Sequence, residues 1–65
     1  MTIQQLIQQF QAKGFTVRVL GVAPRQRVRI LNGGKSSTVY EERWVDLTQD
    51  EQGTLLGEIE QKLAS

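Results

Sequence analysis

From Arg25 to Leu31 the chain alternates, and the alternation leaves little freedom of fold. Arg25, Arg27, Arg29 and Leu31 take the odd positions; Gln26, Val28 and Ile30 take the even ones. A strand points successive side chains to opposite faces, so it gathers the guanidinium groups on one side and Val28 and Ile30 on the other. Asn32-Gly33-Gly34 follows at once and can adopt the positive φ of a tight hairpin turn. A returning strand is expected from Thr38 to about Val45. With Gly33-Gly34 as the turn pair, Val28 faces Val39, Arg27 faces Tyr40 and Arg25 faces Glu42. With Asn32-Gly33 the partners shift by two and the faces are unchanged. A three-residue loop with a bulge breaks the correspondence. The preferred register predicts an apolar face of Val28, Ile30 and Val39. It predicts an open face of Arg25, Arg27, Arg29, Tyr40, Glu42 and Trp44. Glu41 and Arg43 then point inward, which also suggests a bulge or an early strand end near Glu41.

The flanking segments read as two helices and one more strand. Thr2 and Gln5 have the spacing of a capping box, and Ile3, Leu6, Ile7 and Phe10 form a helical apolar stripe. The opposite face is glutamine: Gln4, Gln5, Gln8, Gln9 and Gln11, a solvated polar face. Gly14 suits a left-handed helix end. Phe15 to Leu20 alternates as a strand, with Phe15, Val17 and Val19 toward the core and Thr16, Arg18 and Leu20 on the arginine side. Gly21 to Pro24 connects it to the next strand. Thr48 with Glu51 is a second capping box, opening a helix expected from about Gln49 to Leu63 with Leu55, Leu56, Ile59 and Leu63 inward; a later start at Thr54 is the alternative. Gly53 and Gly57 lie beside that stripe and suggest a close backbone approach or a docking partner, against simple tolerance of glycine. Helix, three strands, helix gives an α+β two-layer sandwich: a three-stranded antiparallel sheet with both helices on one face. Sixty-five residues make one domain, residues 1–65.

Composition excludes several chemistries. There is no cysteine and no histidine. Disulfides, thiolate or imidazole metal sites and the usual nucleophile–base pairs are out of reach. Glu41 and Glu42 are adjacent on an expected strand and point to opposite faces, so they make no catalytic pair. An enzyme is therefore not expected, nor a metal or other cofactor. Gly33-Gly34-Lys35-Ser36 resembles the end of a phosphate-binding loop, but a strand follows where that motif needs a helix. No apolar run reaches the roughly 18 residues of a membrane span, and the N-terminus has no signal-peptide pattern. The expectation is a cytoplasmic protein.

Charge is segregated. Residues 1–35 carry Lys13, Arg18, Arg25, Arg27, Arg29 and Lys35 with no acid, whereas residues 36–65 carry seven acids against Arg43 and Lys62, for a net +1. The two halves either neutralise each other across the fold or serve a polar partner surface.

The order and length resemble double-stranded-RNA-binding-domain folds. The layout is also similar to HicA-type toxins: an amphipathic helix, a Gly14-Phe15 step, a hairpin, and a last helix opened by Gly53-Thr54-Leu55. The resemblance is topological and implies the fold. HicA-type toxins rely on a second-strand histidine for RNA cleavage, and Gln26 to Arg29 stand in that region. Double-stranded-RNA-binding domains present lysines where this chain has Asp46, Asp50 and Glu51. Neither activity carries over.

Two functions compete for the open face. The favoured one is a small non-enzymatic protein-interaction or regulatory module, of phage or mobile-element type, binding a protein partner or a second copy as a homodimer. The alternative is nucleic-acid binding through the same face. Both use Arg18, Arg25, Arg27, Arg29 and Lys35 with Tyr40 and Trp44. The competing reading for Trp44 is burial at the sheet end against the last helix.

Overall fold

The computed structural model describes residues 1–64. It is an α+β fold, with elements in the order α1 (Ile3–Ala12), β1 (Thr16–Leu20), β2 (Arg27–Asn32), β3 (Lys35–Tyr40), α2 (Glu41–Asp46) and α3 (Gln49–Ala64). The strands form an antiparallel sheet in the order β1-β2-β3.

Helix α1 is fixed at both ends by its own sequence. The Thr2 hydroxyl accepts the Gln5 backbone N–H at 3.2 Å, and the Gln5 side chain accepts the Thr2 N–H at 2.8 Å. The other end closes in a Schellman motif. Gly14, at φ +88°, donates its N–H to Gln11, and Phe15 donates to the Phe10 carbonyl. The apolar contact that accompanies such an end is present, because the Phe15 ring stacks on Phe10 with centroids 5.9 Å apart. Phe15 therefore belongs to the helix end, and β1 begins one residue later, at Thr16.

The hairpin takes the Gly33-Gly34 register. Val28 pairs with Val39, Arg27 with Tyr40 and Asn32 with Lys35. Val28, Ile30 and Val39 are buried against the stripe of α1 and against Ile59 and Leu63 of α3. Helix α1 lies against β1, and α3 against β3 and β2. The Asn32 side-chain amide donates to the Leu63 carbonyl at 2.6 Å, satisfying one of the orphan acceptors at the end of α3. Thr48 and Glu51 form the expected reciprocal cap at the other end.

The main departure comes after Tyr40. The expected strand to Val45 stops there, and residues 41–46 form α2 instead. Continued alternation would have driven Glu41 and Arg43 into the apolar layer, where an unpaired charge is costly. A helical turn keeps Glu42 and Arg43 exposed and swings Trp44 inward. Trp44 is fully buried, so its expected place on the open face is overturned. Its indole N–H donates to the Met1 carbonyl at 3.0 Å. Gln52, also buried, donates to the same carbonyl and to the Trp44 carbonyl, and accepts from the N-terminal ammonium. These bonds tie the N-terminus, α2 and α3 together beneath the sheet end. Among the described residues no buried side-chain nitrogen or oxygen lacks a partner.

Gly53 and Gly57 are exposed on α3, and apart from the adjacent residues and backbone of α3 itself no atom stands within 4 Å of where a Cβ would sit on either. The close approach expected of them does not occur within the chain. Among the described residues no helix is long and apolar enough to cross a membrane.

The open sheet face as candidate binding site

Register decides what this face presents. Arg18 of β1 stands directly opposite Arg29 of β2, which stands opposite Thr38 of β3. The next row is Leu20, Arg27 and Tyr40; the row on the other side is Thr16, Leu31 and Ser36. Every side chain of this three-by-three grid lies opposite the buried one, as the period-two alternation demands. The arginines and Tyr40 are exposed, while Leu31 is half-buried among them.

No sheet residue on this face is acidic. Like charges directly opposite one another across a strand pair are destabilising, and Arg18 with Arg29 is such a pair. A carboxylate does stand at the margin of the face, that of Glu42 at the start of α2. Its oxygen lies 3.3 Å from Nε of Arg25. This is the pairing the hairpin register anticipated, reached from just beyond the strands. Both side chains are mostly solvated, so the ion pair adds little stability. Glu41 is engaged elsewhere: its carboxylate accepts the backbone and side-chain N–H groups of Gln26, each at 3.2 Å.

Of the residues expected to act together, Arg18, Arg25, Arg27, Arg29 and Tyr40 are brought to one side. Lys35 sits at the hairpin end of β3, on the opposite parity. Trp44 is withdrawn to the core. Arg43, expected to point inward, is instead exposed on α2, and with Arg25, Tyr40 and Glu42 it borders a notch of about 270 Å³ at the margin of the face. The signal that could have found it was the mismatch between its charge and the inward position that a longer strand required.

The charges are layered. Residues 16–40, the sheet and its connections, hold four arginines and Lys35 with no acid. Helices α2 and α3 hold all seven acids. A larger cleft of about 330 Å³ lies between the β3 edge, α2 and α3, with Val39, Leu47 and Leu55 in its wall and Arg43, Glu51 and Glu58 around it. Glu51 has its pKa held below the usual carboxylate value by the Thr48 backbone N–H and then the Thr48 hydroxyl, a cap and not a catalytic perturbation. Among the described residues no cluster of three or more acidic side chains is placed to hold a metal ion. No family model matches the sequence, and no curated protein and no solved structure is similar enough to match.

Proposed function

We propose that this chain is a non-enzymatic interaction module whose open sheet face docks on an acidic protein surface. The observation that carries the reading is the cross-strand pair of Arg18 and Arg29, set in the middle row of the exposed face with no sheet carboxylate beside it. Such a pair costs the free protein stability and is relieved when a partner supplies negative charge. Leu20, Leu31 and Tyr40 interleave with the arginines, and a mixture of arginine, aromatic and aliphatic groups is what interface centres use. The notch beside Arg25 and Arg43 adds a recess at the margin of the same face.

A second copy is a poor occupant of this face, because a two-fold arrangement would set arginines against arginines. Nucleic acid is the second reading, favoured by the same uncompensated guanidinium row. It loses force with Trp44 in the core, which leaves Tyr40 as the single aromatic for base stacking.

The test compares wild type with Arg18→Gln/Arg29→Gln. Proximity labelling in cells expressing each form identifies candidates, and each candidate is then purified and titrated against both forms. The expected result is a purified acidic partner whose affinity falls at least tenfold in the double variant and weakens with salt, while single- and double-stranded oligonucleotides bind neither form. Oligonucleotide binding that the double variant abolishes replaces this reading with the second. A partner that binds both forms equally removes the open face from the function.

A further inference from the structure

We infer that the outer edge of β1 is a self-pairing edge, at which two copies join their sheets into one of six strands. The Glu41 N–H donates to the Gln26 carbonyl at 2.9 Å. In an antiparallel ladder the bonding direction alternates, so Val28 and Ile30 turn their backbone groups to β3, and Arg27, Arg29 and Leu31 turn theirs to β1. Val17 and Val19, which pair with Ile30 and Val28, therefore aim their N–H and C=O groups outward. An unpaired row of this kind is a template for another strand.

On its core-facing side this edge is apolar, with Val17 half-buried and Val19 uncovered. In the core-facing row Val19–Val28–Val39, Val28 and Val39 are buried but Val19 is 43% exposed. Leu20 and Val22, next along the chain, are 44% and 79% exposed. Helix α1 lies above β1, and its Lys13 reaches across to Glu60 of α3 at 2.8 Å. On the flank of α1 opposite Lys13 by helical spacing lie Gln8 and Gln11, both exposed and uncharged.

Charge identifies the occupant as a second copy. The charged strand residues of the open face are all arginines, and the exposed side of α3 is mainly acidic, so two-fold docking at either sets like on like. The β1 flank is uncharged on its core side, in the valines, and its self-docking meets no such penalty. A two-fold register centred on Val19 puts Arg18 opposite Leu20 of the other copy and avoids its own counterpart. The other edge, β3, is guarded: Arg43, Glu51 and Glu58 stand around the cleft beside it, and charged side chains along an edge discourage strand addition. The joined sheet would present both basic faces on one side, without depending on what those faces bind.

Sedimentation velocity from 1 to 500 μM at two salt concentrations, with amide hydrogen exchange on the same samples, tests this. The expected result is a dimer that persists at 0.5 M salt. In it the Val17 and Val19 amides gain protection with concentration, while those of Thr38 and Tyr40 do not. Val19→Lys should be monomeric with an unchanged circular dichroism spectrum, and Thr38→Lys should leave the dimer intact. A wild-type monomer throughout the range, or concentration-dependent protection at Thr38 and Tyr40 instead, overturns the inference. The exchange data decide the matter even if Val19→Lys fails to fold.

Discussion

A double-mutant cycle on Arg18 and Arg29 isolates the like-charge pair on which the proposed function rests. Arg18→Gln and Arg29→Gln each remove the charge and keep part of the aliphatic stem. The guanidinium groups can splay, so we take a separation of about 6 Å. In water two unit charges at about 6 Å repel by about 0.7 kcal/mol. Screening over a Debye length of about 30 Å at 0.01 M salt leaves about 0.6 kcal/mol, over about 8 Å at 0.15 M about 0.3, and over about 3 Å at 1 M about 0.1. The values at 0.01 and 0.15 M sit in the range of roughly 0.2–1 kcal/mol known for cross-strand pairs, and the value at 1 M falls below it. Urea denaturation of the four proteins at 0.01, 0.15 and 1 M salt should return an unfavourable coupling that shrinks in that order. Each single variant should be at least as stable as wild type at low salt, yet bind its partner more weakly. A favourable coupling, or one that salt leaves unchanged, refutes the reasoning, because the arginines would then be stacking on or shielding one another and would not be held in wait for negative charge.

Three further outcomes follow from the core and the caps. Gly53→Ala and Gly57→Ala should each stabilise the protein by about 0.5–1 kcal/mol, since neither Cβ meets a neighbour and alanine is the better helix former; thermal melts showing a loss would reveal a close contact at those positions. Trp44→Phe deletes the indole donor to the Met1 carbonyl and should cost about 1–2 kcal/mol. In the wild type the emission of this single tryptophan should be blue-shifted and resist acrylamide until unfolding. Glu51 has a lowered folded pKa, so its contribution to stability is complete above its ordinary value of 4.5 and is lost as pH falls below that value and through the folded pKa. Melting temperatures between pH 5.5 and 2.5 should therefore decline less steeply in Glu51→Gln than in wild type.

Much of the architecture was legible in residue order because it is enforced locally. Helix α1 carries its capping box and its glycine stop within a few residues of the segment they bound. The hairpin register follows from parity and a two-glycine turn, and parity alone put Arg18, Arg27, Arg29 and Tyr40 on one side. The end of β3 was harder to read. Tyr40 to Val45 has strand-forming residues, and only the inward position of Glu41 and Arg43 argued against continuing.

What the chain by itself determined is therefore the division of each strand into an oily and a charged side, and the two long helices that cover the oily one. Tertiary structure decided where Trp44 goes. A buried indole needs an acceptor for its N–H, and the acceptor here is the carbonyl of Met1, forty-three positions away and held in place by Gln52 from a third element. Nothing local encodes such a meeting. It exists only once the helices have packed, and by drawing Trp44 inward it leaves Tyr40 as the one aromatic among the arginines, leucines and hydroxyl residues of the open face.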